Sequence, residues 1–209
     1  MKCGIYELDI TPWLGLDIPG QFSKRVSIDI LERLSAIASY FESVGEKVVI
    51  ISTDSIIVPD EAVSVIKNNI AKKLDMKTSN VFICATHTHT GGPVENWGEF
   101  FKAKGEYIEL YTARCIDAAV LAAKDAREVK LSFGIGKENT IANYRVRVLP
   151  DGSIQTNAPS GSGTKPYGEI DPDVSVLRID NADGTLYGAI VNYACHCDCV
   201  CGSAPEASL

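Results

Sequence analysis

The sequence predicts an α/β fold: a mixed, partly parallel β-sheet flanked by helices, with a β-rich second half. Three observations carry this. Two short apolar segments, 47–53 and 81–85, bracket a stretch with helical spacing, which is the order strand, helix, strand. A second and longer helical pattern follows from Gly105 to Arg127. Beyond it the period shortens, and four strand-like segments alternate with Asp-Gly turns.

Taken in order, residues 5–20 read as an opening strand and an ordered loop. They contain Asp9-Ile10-Thr11-Pro12 and the turn formers Gly15, Pro19 and Gly20. Residues 34–41 and 47–53 are apolar and separated by Val44-Gly45-Glu46-Lys47, so they read as a hairpin. Val48-Val49-Ile50-Ile51 is β-branched throughout, as expected of a central strand covered on both faces. Val63, Ile66, Ile70 and Leu74 recur at helical spacing over 61–74, with Asp60 as the N-cap. Val81-Phe82-Ile83-Cys84-Ala85 is then a buried strand, parallel to the previous one because a helix carries the chain back. In the long helix Ile108, Tyr111, Cys115, Ala119 and Ala122 form the inward stripe. Strands are expected at 130–136, 141–148, 174–180 and 185–194, with turns at Asp151-Gly152 and Asp183-Gly184. Residues 157–168, rich in Gly, Ser and Pro, read as a long surface loop.

Composition narrows the function classes. The 209 residues carry 20 Lys and Arg against 27 Asp and Glu, a net charge of -7. There is no basic footprint for a nucleic acid. No apolar run approaches the roughly 20 residues that span a bilayer, so no transmembrane segment is expected. The first residues lack the apolar stretch of a signal peptide, and a cytoplasmic location is expected, or a secreted or periplasmic one had a leader been removed. Seven cysteines without framework spacing argue against a disulfide scaffold. Cys3, Cys84 and Cys115 sit in apolar surroundings and read as small buried hydrophobes. Cys195, Cys197, Cys199 and Cys201 recur with period 2, which on an extended strand would align them on one face. A soft metal is one reading of that cluster and incidental thiols the other.

The three histidines stand at ends of expected core strands: His87 and His89 after 81–85, His196 after 185–194. Loops at strand ends are where α/β proteins build their sites. Polar Thr86-His87-Thr88-His89-Thr90 interrupts a strongly apolar strand, and Gly91-Gly92-Pro93 then forces a turn. Imidazole is the commonest zinc ligand, and residues i and i+2 of extended backbone share a face. A strand-end histidine is otherwise an ordinary hydrogen-bonded polar residue, so a metal or catalytic site and a plain polar loop both stay open on spacing alone. Asp54, ending the strand at 47–53, reads as a partner orienting a histidine or as a turn former. Trp97, Tyr107 and Tyr111 read as core or rim.

Thr86-His87-Thr88-His89-Thr90-Gly91-Gly92-Pro93 resembles the Thr-His-Thr-His-Ser-Gly-Pro signature of neutral/alkaline, non-lysosomal ceramidases. Other blocks resemble that family in the same order: Asp9-Ile10-Thr11-Pro12, Val48 to Asp54, Asn143-Tyr144-Arg145, Asp151-Gly152, Ile170 to Val174 and Asn192-Tyr193-Ala194-Cys195-His196. The likeness runs through residues 1–198, read as an N-terminal portion of the catalytic domain, with 199–209 as an atypical tail. It implies a zinc-dependent amidase that cleaves the N-acyl bond of ceramide, with Zn2+ as cofactor and a small-molecule acyl amide, lipid included, as substrate. By motif, His87 and His196 would be metal ligands. His89 would hydrogen-bond the reacting amide, and Arg145 would hold substrate or the developing oxyanion, with Arg147 as the alternative register. The family's remaining ligands, a Glu and a Tyr, come from far downstream of His196, so the chain reads as a truncated or partial form of the enzyme. Two rivals remain: a truncated, non-catalytic domain with residual metal binding, and a small metal-binding module built on the terminal cysteines.

Overall fold

A computed structural model describes residues 1–158, 161, 163–198 and 206–209. The chain divides into two compact units, Met1–Val129 with Cys197–Leu209, and Lys130–His196.

The first unit is built on β1 (Lys2–Asp9), β2 (Val26–Asp29), β3 (Ser35–Ser43), β4 (Glu46–Thr53), α1 (Asp60–Leu74), β5 (Val81–Ala85) and α2 (Gly105–Lys124). Its sheet has the order β1-β3-β4-β5. β1 runs antiparallel to β3, and β3 forms the expected hairpin with β4. β4 and β5 are parallel in the register Val49↔Val81 to Thr53↔Ala85, with α1 as the crossover. The β-branched run thus becomes a strand between two neighbours but is fully covered on one face only: Val49 and Ile51 are fully buried, whereas Val48 on the opposite face is exposed, against the expectation of cover on both. Each such burial removes apolar surface worth about 1.5–3 kcal/mol.

α2 packs on β1 and β3 and beside α1. Its inward stripe is Tyr107, Tyr111, Cys115, Ala118, Ala119 and Ala122, all fully buried. The small residues at its C-terminal half let it approach the sheet closely. A Cβ at Gly4 of β1 would stand 1.8 Å from the Ala122 carbonyl oxygen, so only glycine fits there. The helix stops at Lys124, short of the expected Arg127, because Arg127 already pairs with Cys3 of β1. In α1 the cap differs from expectation. Pro59 is the N-cap and makes no side-chain cap bond, while Asp60 and Glu61 occupy the first turn. There they face the positive end of the helix dipole, and Lys72 and Lys73 the negative end.

The second unit contains most of β6 (Arg127–Lys137), then β7 (Val146–Val148), β8 (Ile154–Thr156), β9 (Lys165–Pro166), β10 (Asp173–Asn181) and β11 (Leu186–Tyr193). β11, β10 and β6 are neighbours in that order, and β7 lies between β8 and β9. Both Asp-Gly turns form, with positive φ at Gly152 and Gly184. The Asp151 and Asp183 carboxylates accept from Ser153 and Thr185 two residues on. The strand expected over 141–148 is confined to Val146–Val148. Thr140 folds back on the Glu138 carboxylate at 2.6 Å through its N–H, and this turn breaks the extended run. The loop at 157–168 holds the short β9, and 159, 160 and 162 lie outside the described residues.

The chain re-enters the first unit, where β12 (Glu206–Ser208) pairs in parallel with β2. Among the described residues, no helix is long and apolar enough to cross a membrane.

Candidate metal and catalytic site

The site grows from the carboxyl ends of the parallel pair β4 and β5. Pairing continues past the strands: Thr86 N–H donates to the Thr53 carbonyl at 2.9 Å, and His87 N–H to the Ser55 carbonyl at 3.0 Å. The two loops, 54–57 and 86–90, therefore leave the sheet together. Asp54 is the clasp between them and the hairpin. Its carboxylate accepts from Ser35 N–H at 2.9 Å and from the Thr86 hydroxyl at 3.2 Å. It braces the loop backbone and not an imidazole ring. Beneath it, the Thr53 hydroxyl lies 2.9 Å from the Tyr111 hydroxyl and 3.0 Å from that of Ser55.

His87 departs from extended backbone. Its φ is 61°, in the left-handed region that non-glycine residues rarely occupy. The turn brings its Nδ1 to 2.7 Å from the Ile56 carbonyl oxygen. A carbonyl only accepts, so Nδ1 carries the proton and the lone pair resides on Nε2. That is the tautomer a metal takes, oriented by a backbone carbonyl as metal-bound histidines commonly are. The two rings converge through this kink and not through strand alternation. The His87 and His89 rings meet edge to face with centroids 5.0 Å apart, and ring nitrogens of the two come within 4.8 Å.

His89 is nearly buried and is held from several sides. Its carbonyl accepts from Nη2 of Arg25 at 2.6 Å, and the same nitrogen donates to the Pro19 carbonyl at 2.7 Å. The Arg25 side chain is fully buried. Gly20, at φ 115°, lies against the imidazole so closely that a Cβ would stand 2.6 Å from its Cγ. The Asp198 carboxylate lies 3.7 Å from His89 Nδ1. Arg25, Gly20 and Asp198 were invisible to sequence spacing; the one available signal was an arginine between turn formers in a loop with no apolar period.

Beyond His87 the loop 94–101 closes a cavity of about 550 Å³. Its walls include Ile56, Ile57, Trp97 and Phe101, with Glu95 at the side. Trp97 is half-exposed at this rim, whereas Tyr107 and Tyr111 are core. Tyr107 donates to the Ile10 carbonyl at 2.8 Å, and Gly92 lies under its ring.

In the second unit, His196 follows β11 by three residues and is half-buried. Arg145 precedes β7 and is exposed. Its alternative Arg147 is engaged within the unit, with Nε on the Thr164 hydroxyl at 2.8 Å and Nη2 on the Thr164 carbonyl at 3.2 Å. The terminal cysteines do not form the expected one-faced strand at 195 and 197, because β11 ends at Tyr193. Cys199 and Cys201 lie outside the described residues.

The fold and these loops define an α/β domain that presents a histidine pair, chemically suited to a metal ion, at the ends of two parallel strands. No family model matches the chain. It is 24% identical over 205 residues to neutral ceramidase A of Dictyostelium discoideum, covering 93% of this chain and 28% of that protein. The crystal structure of neutral ceramidase from Pseudomonas aeruginosa shares the fold with a TM-score of 0.72 at 22% identity, over 91% of this chain and 31% of that one. A second structure, of a ceramidase complexed with C2, gives 0.72 at 21% identity, over 91% and 30%. The sequence similarity along nearly the whole chain and the shared fold are thus both to neutral ceramidases. The chain spans less than a third of the length of these relatives.

Proposed function

We propose that this chain belongs to a zinc-dependent hydrolase of acyl-amide bonds, with a lipid amide of the ceramide type as substrate. The observation that carries the reading is the His87 ring, whose Nδ1–H on the Ile56 carbonyl sets the lone pair on Nε2. In this reading His87 and His196 hold the ion and His89 reaches the reacting amide. When bound, zinc polarises an amide carbonyl and brings the pKa of water toward about 7. The chain's own groups do the rest: His89 hydrogen-bonds the amide, Arg145 meets the developing oxyanion, and the apolar walls at Ile56, Ile57, Trp97 and Phe101 take an acyl chain. The similarity to neutral ceramidases supports the bond class, and the donor chemistry supports the metal.

Elemental analysis of the purified chain tests the metal, and release of fatty acid from a short-chain ceramide, with and without added zinc, tests the reaction. His87→Ala and His196→Ala should each remove the bound zinc. The reading fails if both variants keep their zinc while Cys197→Ala or Cys199→Ala loses it.

A further inference from the structure

We infer that loops 12–24 and 94–104 of the first unit form a landing surface for a zwitterionic lipid bilayer, with Phe22, Trp97 and Phe100 as its anchors. Phe22 is 76% exposed and Trp97 55%. The chain has two tryptophans, and the other, Trp13, is also half-exposed on the first of these loops. The two loops are stitched into one surface. Phe22 and Phe100 meet edge to face with ring centroids 6.3 Å apart. The Asp17 carboxylate accepts from Lys102 N–H at 2.9 Å and lies 3.6 Å from the Lys24 ammonium. A tight turn fixes Trp97, whose N–H donates to the Phe101 carbonyl and whose carbonyl accepts from Phe100 N–H, both at 3.1 Å. Backbone bonds thus hold these rings in water, where an aromatic side chain gains nothing.

Charge decides which surface fits. On the second loop Glu95 and Glu99 balance Lys102 and Lys104, and on the first Asp17 balances Lys24, so the patch carries no net charge. The whole chain stands at -7, which repels it from an anionic headgroup layer. An aromatic patch without net charge matches the boundary between headgroups and acyl chains, where amphipathic rings settle. A folded partner would meet the same rings, but only a lipid has an acyl chain to pass beyond them. Trp97 is both an anchor and a wall of the apolar cavity beside His87, so the surface leads into that cavity. This last step rests on the function proposed above, with the bilayer as the source of the lipid amide.

Vesicle binding by the full chain, dialysed against a chelator, is the test. Trp13→Phe leaves Trp97 as the single fluorophore. With phosphatidylcholine vesicles its emission should move to the blue, and lipids brominated in the acyl chain should quench it. The chain should co-sediment with the same vesicles. Phe22→Ser and Phe100→Ser should each weaken this partition about tenfold, the loss of one ring from an apolar phase. Phe22→Ser should keep the urea midpoint of the natural chain, since that ring is mostly in water. Phe82→Ser removes another exposed aromatic of the first unit and should leave the partition unchanged. Absence of blue shift and sedimentation overturns the inference, as does an equal loss in Phe82→Ser or tighter binding to vesicles containing phosphatidylglycerol. So does lipid-free self-association that Phe22→Ser abolishes, which would make the patch an interface between copies. No amide is cleaved in these measurements. Hydrolysis of a dispersed short-chain ceramide without vesicle binding sinks this inference alone, and vesicle binding without hydrolysis leaves it standing.

Discussion

Nδ1 of His87 lies 2.7 Å from the carbonyl oxygen of Ile56, and the contact exists only because His87 sits at φ 61°. A side chain in that backbone region costs of order 1–3 kcal/mol, while glycine enters it freely. Replacement of His87 should therefore separate strain from chemistry. Both His87→Ala and His87→Gly should lose the bound metal. In urea unfolding, however, His87→Gly should be the more stable of the two by about 1 kcal/mol, since alanine retains the backbone penalty. Equal stabilities would mean that the left-handed turn is not imposed by the fold.

Gly92 is the second constrained position of the motif. A Cβ there would stand 2.3 Å from Cζ of Tyr107, whose ring is fully buried and whose hydroxyl is tied to the Ile10 carbonyl. The ring cannot withdraw without breaking that bond. Gly92→Ala should destabilise the first unit by about 1–3 kcal/mol, the usual cost of overpacking, and Tyr107→Phe in the same chain should not restore it, because the ring remains. Chemical denaturation followed by tryptophan fluorescence measures both.

Much of the first unit was legible because its signals are local. The β-branched run of β4, the helical stripe of α1 and the glycine-containing link at Val44-Gly45 each specify their element within a few residues, and the parallel pairing of β4 with β5 follows from the crossover. The histidine pair was legible for the same reason: it is a polar block cutting an apolar strand. What surrounds it was not. Arg25 reaches His89 across 64 residues of sequence, and Gln21 reaches Asp198 across 177. No periodicity or turn preference encodes such contacts. The extended run at 141–148 failed for a local reason instead, since a side-chain turn at Glu138 and Thr140 precedes it and only its last three residues pair. The Asp9-Ile10-Thr11-Pro12 block was recognisable by resemblance alone, and its physical purpose needed the structure.

That purpose is a clasp. Asp9 Oδ1 accepts from Thr11 N–H at 2.8 Å, Oδ2 pairs with Arg33, and the Thr11 hydroxyl accepts from Leu34 N–H at 2.8 Å. Burial pushes the Asp9 carboxyl up, but the Thr11 hydrogen bonds and the Arg33 guanidinium outweigh it and hold the group below the usual carboxylate range. A depressed folded-state pKa contributes stability above the unfolded value of about 3.9, and loses it as pH falls through the folded one. The urea midpoint of the natural chain should exceed that of Asp9→Asn at neutral pH. The difference should shrink steadily below about pH 4 and not before.

Thiol reactivity should sort the cysteines by environment. Burial pushes the Cys3 thiol up to about 11 and that of Cys115 up to about 12, and raises Cys84 as well. The thiolate is the nucleophile, so these three should resist alkylation in the native protein near neutral pH. Cys197 is exposed and should react readily. Mass spectrometry after timed iodoacetamide treatment reads the order, and early labelling of Cys115 would contradict the packing of α2 against the sheet.

The hydroxyl cluster beneath the histidine loop offers a sharper test of how the site is supported. Thr53, at the last position of β4, lies 2.9 Å from the Tyr111 hydroxyl and 3.0 Å from Ser55, and Ser55 in turn donates to the Ile57 carbonyl at 3.0 Å. All three side chains belong to buried residues, so a lost partner is not replaced by water. Tyr111→Phe should cost about 0.5–1.5 kcal/mol by removing one partner of the Thr53 hydroxyl, which keeps Ser55 and the Cys84 carbonyl, and Thr53→Val should cost a similar amount by leaving the Tyr111 hydroxyl with Ser55 alone at 3.4 Å. If the pair acts as one unit, the double variant should cost less than the sum, with a coupling of about 0.5–3 kcal/mol in the cycle. The Ser55 carbonyl receives the His87 N–H, so loosening this cluster should also weaken metal retention without touching a ligand. Strict additivity, with metal content unchanged in all three variants, would mean that the cluster only fills the core. In that case the position of His87 would rest on the Ile56 carbonyl and the strand pairing at Thr86 alone.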